Sequence, residues 1–229
     1  MEYWNHNTAY YKWIKKQVVQ CTQILDVGCG DGSLIGFLDD CNKHLTGIDA
    51  YEPCIKKAKF QFQSERCDFY CDDFLEHSFD CKFDAIIFVA SIHHMNMRKA
   101  LEKAKSLLDE NGVILIVGLG KPSSFLDYII ECLRVIPSLI ISKCKKIHSC
   151  EDENIPVSYE LPAMNEIRNI KNEVLVGAKI RYGLFYRYLI KWEKSNLNQY
   201  KLCGMPNCKK KNQLSSFFII KFKKNENKI

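Results

Sequence analysis

Three glycines at alternate positions are the first feature of the sequence that could do chemistry. Residues 24–34 read Ile-Leu-Asp-Val-Gly-Cys-Gly-Asp-Gly-Ser-Leu, so Gly28, Gly30 and Gly32 join an apolar run to a helix-like one. Glycine permits positive φ and a close approach of ligand to backbone, and the next helix would point its N–H groups at that ligand. An ordinary tight turn is the alternative, but so dense a pattern favours a binding loop.

The spacing of the loop indicates which ligand it would take. A dinucleotide loop prefers G-x-G-x-x-G, whereas this sequence has G-x-G-x-G, with Ser33 in place of the last glycine. The Gly-Lys-Ser/Thr of a P-loop is absent from it. The acid at Asp26 and the tight glycine spacing favour a cationic aminoacyl sulfonium over a pyrophosphate. A nicotinamide dehydrogenase remains the main alternative at the level of the fold.

Further acids follow the next two apolar runs. Asp49 lies about 20 residues after Gly28, where an acid can bond both ribose hydroxyls of an adenosine; capping the next helix is its alternative role. Asp72 and Asp73 end the third run. We expect Asp72 to meet the adenine amino group and Phe74 to lie against the ring, the alternative being a solvated loop. Together these residues predict an adenosine site along the carboxyl ends of successive strands.

The elements that must position these residues alternate between strand-like and helix-like, which predicts a parallel α/β sheet. Predicted strands are 24–27, 45–49, 68–71, 83–89 and 113–119, followed by an antiparallel pair, 179–185 and 187–193. Predicted helices are 8–20, 33–39, 53–62, 95–108, 123–135 and 162–174. Residues 109–112 are expected to stop a helix and turn the chain.

Two segments fall outside this alternation. Residues 137–162 look irregular, with opposite charge runs at 143–146 and 151–153, and we expect them to form a mobile cover over the substrate. We predict one domain over residues 1–194 and a basic extension over 195–229. The run 215–222 in that extension could add an edge strand or pack elsewhere.

Composition favours a soluble globular chain. Of its 229 residues 47% are hydrophobic and 26% charged, with a net charge of +6. No apolar run approaches the roughly 20 residues of a membrane helix, and the N-terminus does not resemble a signal peptide, so we expect a cytoplasmic protein without membrane contact, monomeric or homodimeric. The cysteines are then expected to be free thiols. A zinc site at Cys203 and Cys208 is a minor alternative. Lysine greatly outnumbers arginine, which makes nucleic-acid binding possible but unfavoured.

The order of these motifs resembles the class I S-adenosylmethionine-dependent methyltransferases, and more narrowly the small bacterial methyltransferases of types 11 and 12. The resemblance covers residues 3–194 and implies a Rossmann-like, mostly parallel seven-stranded sheet with helices on both faces. Its markers are residues 5–7, 26–32, Asp49, 71–72, 83–84, 92–95, 107–112, Arg187, Tyr188 and Trp192.

The resemblance also implies contacts with S-adenosylmethionine. Gly28 and Gly30 would pass close to its methionine part, and Asp26 would help place its amino group. The remaining implied cofactor contacts are Asp49 and Ala50 at the ribose, Asp72, Asp73 and Phe74 at the adenine, Ala90 and Ser91 beside the methionine, and Asn7 and Tyr10 closing over it.

Methyl transfer from a sulfonium needs orientation and exclusion of water rather than a metal, because the leaving group is already activated. If the acceptor must lose a proton, His93 or His94 could be the base. His93 resembles in position the catalytic histidine of phosphoethanolamine methyltransferases. The alternative is structural: a cap for the following helix, or a bond to a backbone carbonyl.

Several other side chains could serve either the site or ordinary packing. Tyr10 and Tyr11 could latch the site shut or simply pack a helix on the sheet. Arg187, Tyr188 and Trp192 are interpreted first as strand packing and surface charge, and acceptor binding is the alternative. We therefore predict a methyltransferase for the O, N or C atom of a small molecule. The alternatives are a methyltransferase for tRNA wobble uridine, with residues 209–211 on phosphate, and a cofactor-binding protein without catalysis.

Overall fold

Seven strands form a single sheet in the computed structural model, which describes residues 4–144 and 161–194. The strands are β1 (Gln23–Val27), β2 (His44–Asp49), β3 (Cys67–Cys71), β4 (Phe83–Val89), β5 (Leu108–Leu119), β6 (Lys179–Tyr182) and β7 (Arg187–Glu193). Their order is β3-β2-β1-β4-β5-β7-β6. The first five are parallel, and β7 runs antiparallel to both β5 and β6. The predicted fold class and the antiparallel C-terminal pair are confirmed.

Helices connect the parallel strands. A 3-10 turn at Thr8–Tyr10 leads into α1 (Tyr11–Gln17), and a second one at Ile92–His94 precedes α4. The other helices are α2 (Ser33–Leu38), α3 (Glu52–Gln61), α4 (Met97–Leu107), α5 (Phe125–Cys144) and α6 (Met164–Val174). No helix in the described ranges is both long and apolar enough to cross a membrane.

The core consists of two apolar clusters. Because successive side chains of a strand point to opposite faces, Leu25 and Val27 of β1 enter one cluster, while Ile24 enters the other. The same alternation divides β5, whose Ile114 and Leu115 are fully buried on opposite faces. The central strands are therefore covered on both sides, as parallel strands require.

Helix α5 corrects the prediction that residues 137–162 are irregular from their start. The helix passes through Pro137 and continues to Cys144. A proline removes one backbone hydrogen bond and bends a helix, but helical dihedrals can resume on its C-terminal side. The rest of the predicted cover, residues 145–160, lies outside the described residues. So do the basic extension with its predicted strand at 215–222, and Cys203 and Cys208.

The turn predicted at residues 109–112 lies inside β5. Phe83 of β4 pairs with Leu108, and Ala85 pairs with Val113, so two steps along β4 are matched by five along β5. Residues 109–111 are exposed in this irregularity. The polar residues thus leave the sheet at the start of the strand instead of separating it from α4.

Candidate cofactor site

The three glycines after β1 all have positive φ: +73° at Gly28, +54° at Gly30 and +76° at Gly32. Their surroundings differ. A Cβ at Gly28 would lie 2.3 Å from the Cβ of Ser91, whereas a Cβ at Gly30 would have no heavy atom within 4 Å. Gly28 is thus required by a close approach within the protein, and Gly30 faces open space that a ligand can fill.

The end of β4 supports the glycine loop. The Ser91 hydroxyl is buried and donates to the carbonyl oxygen of Val27 at 2.5 Å. Ala90 has a φ of 53°, and its N–H donates to the carbonyl oxygen of Val117 at 2.8 Å. A positive φ at a residue with a Cβ is uncommon and concentrates at functional sites. Ala90 and Ser91 therefore lie at the end of β4, with Ser91 packed directly on the loop; their contact with the methionine part of the cofactor stays a prediction.

Asp26 is a buried acid in β1, two residues before Gly28, with 3% of its surface exposed. Its Oδ1 has no hydrogen-bond partner in the described parts of the chain. Burial foremost, and the nearby charge of Asp49, raise the pKa of Asp26 to about 8. A buried carboxylate without a partner is costly, so a cationic group at this position would stabilise it. This arrangement fits the amino group of an aminoacyl cofactor.

Asp49 faces the same loop. Its Oδ2 accepts from the Gly30 N–H at 2.9 Å, and its Oδ1 accepts from the Tyr51 N–H at 2.8 Å at the start of α3. The carboxylate thus bonds both the glycine loop and the residue before α3, whose own N-cap has no side-chain hydrogen bond. The ribose contact stays a prediction. Each carboxylate oxygen retains acceptor capacity for a ligand hydroxyl. Ala50, beside it, is exposed.

The acids after β3 are exposed, as an adenine contact would require. Asp72 Oδ2 lies 2.9 Å from Nδ1 of His77, and Oδ1 accepts from the Asp73 N–H. These hydrogen bonds, that of His77 foremost, lower the pKa of Asp72. Asp73 Oδ1 in turn accepts from the Leu75 N–H at 2.8 Å. His77 was not predicted, because no periodic pattern links it to Asp72.

Phe74 corrects a predicted contact. Its side chain is only 3% exposed and packs against Phe79 and Phe88 in the core, with the Lys103 ammonium over its ring. Little of the ring is left to lie against an adenine. Its apolar character, which suggested a ligand contact, serves the packing between β4 and α4.

His93 and His94 have different environments. His93 is partly buried, and its Nδ1 has no hydrogen-bond partner among the residues described. Burial foremost, then His94 and Arg187, lower the pKa of His93 to about 4. His94 is exposed, with its ring centre 4.1 Å from that of His93. Neither caps α4, because the Asn96 side chain accepts from the Lys99 N–H there.

His93 also lines a cavity of about 1020 Å³. Polar side chains from three parts of the chain share its wall: Asn96, Arg98, Lys121, Asn165, Glu166 and Asn169. His93 follows Ser91, which packs on the glycine loop, by two residues. The histidine thus lies between the loop and a cavity large enough for a small molecule. No group of acidic, histidine and cysteine side chains in the described ranges is arranged to hold a metal ion.

The N-terminal segment is tied to the turn between β6 and β7. Asn7 Oδ1 accepts from Arg187 Nη2 at 2.7 Å, and the Tyr10 hydroxyl donates to the Leu184 carbonyl oxygen at 2.7 Å. Arg187 is only 9% exposed, so its interpretation as a surface charge is wrong. A buried strand-end arginine has no distinctive sequence signal. Tyr188 and Trp192 are core residues, as predicted.

Comparison with known proteins agrees with this arrangement. A family profile described as a methyltransferase domain matches residues 24–112. An uncharacterized methyltransferase of Mycobacterium tuberculosis is 27% identical over 194 residues, which cover 82% of this chain and 96% of that protein.

Two solved structures illustrate the shared fold. A magnesium protoporphyrin IX methyltransferase from Synechocystis, with bound S-adenosylhomocysteine, has a TM-score of 0.55 at 16% identity and covers 83% of each chain. A didemethyltoxoflavin N-methyltransferase from Burkholderia thailandensis has a TM-score of 0.55 at 14% identity, over 83% of this chain and 79% of that one.

The strand order and the glycine loop at the end of β1 define a Rossmann-like methyltransferase fold. The matched methyltransferase domain and the methyltransferase relatives, together with this fold, support a class I S-adenosylmethionine-dependent methyltransferase.

Proposed function

We propose that the chain moves a methyl group from S-adenosylmethionine to an O, N or C atom of a small molecule. The observation that carries this proposal is the buried Oδ1 of Asp26, which has no hydrogen-bond partner among the described residues, next to a glycine loop whose Gly30 faces open space. An ammonium group would satisfy the carboxylate, and the open side of Gly30 would admit the aminoacyl chain. A pyrophosphate would instead bring negative charge towards Asp26 and Asp49.

The chain's own residues divide the binding task. Asp26 would hold the amino group, and Asp49 would accept from the ribose hydroxyls with the lone pairs that Gly30 and Tyr51 leave free. The exposed Asp72 and Asp73 would meet the adenine edge, while Asn7 and Tyr10 keep the N-terminal segment over the β6–β7 turn. When bound, S-adenosylmethionine supplies an activated methyl group on a sulfonium. The protein then has to orient the acceptor and exclude water.

His93 is the proposed base where the acceptor must lose a proton. It is neutral at neutral pH because its pKa is lowered, so its imidazole can accept a proton. Its Nδ1, which no described residue bonds, and its place in the wall of the cavity support this role. His94 is exposed and is proposed to act only through its effect on His93.

Calorimetric titration tests the cofactor first. We expect S-adenosylmethionine and S-adenosylhomocysteine to bind and NAD not to bind. Asp26→Asn should weaken S-adenosylhomocysteine binding about 10-fold or more, because a charge-assisted contact is lost. Binding of NAD in preference to S-adenosylmethionine would contradict the proposal.

The base is tested separately. Release of S-adenosylhomocysteine is followed with a panel of phenols, amines and carboxylic acids, and the active acceptor is then used for His93→Ala. A general base contributes roughly 100- to 10,000-fold, so turnover should fall by at least the lower figure while cofactor affinity is unchanged. Unchanged turnover would exclude the base role. RNA as acceptor would show salt-sensitive binding instead.

A further inference from the structure

Arg187 is a buried cation that has no acidic partner among the residues the structure describes. Its Nη2 donates to Asn7 Oδ1 at 2.7 Å and its Nη1 to the Phe185 carbonyl oxygen at 3.3 Å, and both acceptors are neutral. Its Nε is buried with no hydrogen-bond partner in ranges 4–144 and 161–194. Burial lowers the pKa of Arg187 to about 10, and no carboxylate within those ranges compensates for it.

Other arginines of the fold show the contrast. Each of the following pairs with a carboxylate: Arg66 with Asp39, Arg98 with Glu173, Arg134 with Glu131, and Arg168 with Asp127. Arg187 is more buried than any of them, yet its partners are an amide and a backbone carbonyl. Burying an unpaired charge is costly, and a guanidinium fork matches the geometry of carboxylate and phosphate. The uncompensated positive charge of Arg187 therefore points to an anionic ligand.

The position of Arg187 separates it from the adenosine end of the site. Arg187 pairs with Leu119 at the carboxyl end of β5, on the same sheet edge as the glycine loop. In the strand order, β4 and β5 lie between β1 and β7, which corresponds to about 14 Å at the usual strand spacing. His93 follows β4, and the charge of Arg187 is one of the causes that lower the pKa of His93, after burial and His94. Arg187 thus lies beyond the proposed base, as seen from the cofactor loop.

The turn that presents Arg187 is strained. Phe185 and Tyr186 both have positive φ, 57° and 58°. Turns of this kind normally use Asn or Gly, because a bulky side chain is disfavoured there. The Phe185 ring is buried and stacks on His6, with ring centres 4.6 Å apart. Packing therefore holds a costly backbone conformation directly before Arg187, as happens at binding sites.

We propose that Arg187 is an oxyanion site for the methyl acceptor: it binds a carboxylate or phosphate group of the acceptor and so directs the atom to be methylated towards His93. The inference rests on the proposed function and adds the class of acceptor to it. Asn7 and the Phe185 carbonyl oxygen accept from the two Nη atoms of the guanidinium. Nε is the buried donor that no described residue satisfies, and in this scheme the ligand accepts from it. Arg187 is a binding residue in this scheme, and Asn7 is a positioning residue.

The test uses the full chain with benzoate and inorganic phosphate as probes and benzamide as the neutral control. Imidazole NMR follows His93, with its signal assigned through His93→Gln. We expect an anion to bind wild type and to raise the pKa of His93, because it offsets the charge of Arg187; benzamide should do neither. If neither anion binds, or if the pKa of His93 does not move, the oxyanion site is refuted.

Variants identify the residue and the source of the anion. Arg187→Gln should weaken binding of the anion about 10- to 100-fold. Arg187→Lys keeps the charge, so its affinity for the anion should lie between those of Arg187→Gln and wild type. The matched control Arg181→Gln removes an exposed positive charge from the same hairpin and should change nothing. Equal weakening in Arg181→Gln would mean that the effect is general attraction by surface charge, and would overturn the proposal.

Binding of S-adenosylhomocysteine and 5′-methylthioadenosine tests whether Arg187 binds the acceptor or the cofactor. We expect Arg187→Gln to leave both affinities unchanged. If it weakens S-adenosylhomocysteine but not 5′-methylthioadenosine, which lacks the amino-acid carboxylate, Arg187 serves the cofactor and the acceptor assignment is wrong. If wild type binds neither nucleoside but still binds the anion through Arg187, the proposed function fails while the anion site remains.

Discussion

The Ser91 hydroxyl hydrogen-bonds to the Val27 carbonyl oxygen, and the Ser91 Cβ fills the space that a side chain at Gly28 would need. The end of β4 therefore lies directly on the loop that follows β1. Gly30, two residues on, contacts nothing on its open side. The two glycines of the motif thus have different roles: Gly28 permits packing within the protein, and Gly30 leaves room for a ligand.

Alanine substitutions at Gly28 and Gly30 should have different effects, the first on stability and the second on cofactor binding. Gly28→Ala would place Cβ atoms 2.3 Å apart at a positive φ, so it should lower the free energy of unfolding by about 2–4 kcal/mol. Gly30→Ala has only the φ strain, about 1–2 kcal/mol, but should weaken S-adenosylhomocysteine binding at least 10-fold by filling the open space. Urea denaturation and calorimetry measure the two effects. Adding Ser91→Gly to Gly28→Ala should recover part of the stability; no recovery would mean that this contact is not the cause.

Asp26→Asn should weaken cofactor binding and stabilise the apo protein. The pKa of Asp26 is raised to about 8 in the folded chain, so the folded state holds the proton more tightly than the unfolded one. Its contribution to stability is therefore full below the ordinary pKa of an aspartate and is lost as pH rises towards 8. Asparagine removes the ionisation, and we expect the apo protein to gain about 1–3 kcal/mol at neutral pH. Thermal unfolding at several pH values measures this; an equal gain at pH 4 would contradict the cause given.

His93 should give the pH profile of an abnormally weak base. With its pKa at about 4, kcat/KM should stay level as pH falls through the usual range of histidine and decline only as pH approaches 4. Folding favours the neutral form, so stability is lost as pH falls from the ordinary histidine pKa of 6.5 through about 4. His93→Gln should abolish this loss, while His94→Gln should leave most of it. An acid limb near 6.5 that survives in His93→Gln would assign it to another group.

Asp127 should be a determinant of stability. It is 1% exposed, accepts from the Tyr182 hydroxyl at 2.6 Å and the Ser124 N–H at 3.0 Å, and pairs with Arg168. Burial alone would raise its pKa, but these hydrogen bonds, that of Arg168 foremost, hold the pKa well below its usual range. Its contribution is therefore present at neutral pH and lost as pH falls below the ordinary aspartate value.

Asp127→Asn should lower the free energy of unfolding by about 2–4 kcal/mol, because it breaks a buried pair. The matched control is Glu173→Gln in the exposed pair with Arg98, which should cost under about 1 kcal/mol. Both are measured by urea denaturation at neutral pH. Equal costs would show that burial of Asp127 is not what matters.

Sequence alone determined the sheet, the glycine loop and the acids at the strand ends. These features are local: apolar runs set the strands, glycine spacing sets the left-handed backbone, and parallel strands bring their carboxyl ends to one edge. Gly28, Gly30, Asp26 and Asp49 could therefore be assigned to one site before any contact was known. The central strands are buried on both faces, so they appear in the sequence as continuous apolar runs.

Tertiary structure alone decided which side chains are buried and what they meet. Arg187 was interpreted as a surface charge, yet the N-terminal segment covers it through Asn7, a partner 180 residues away in sequence. Phe74 turned into the core, and only packing distinguishes the partly buried His93 from the exposed His94. Burial and electrostatic environment depend on elements distant along the chain, and no local pattern encodes them.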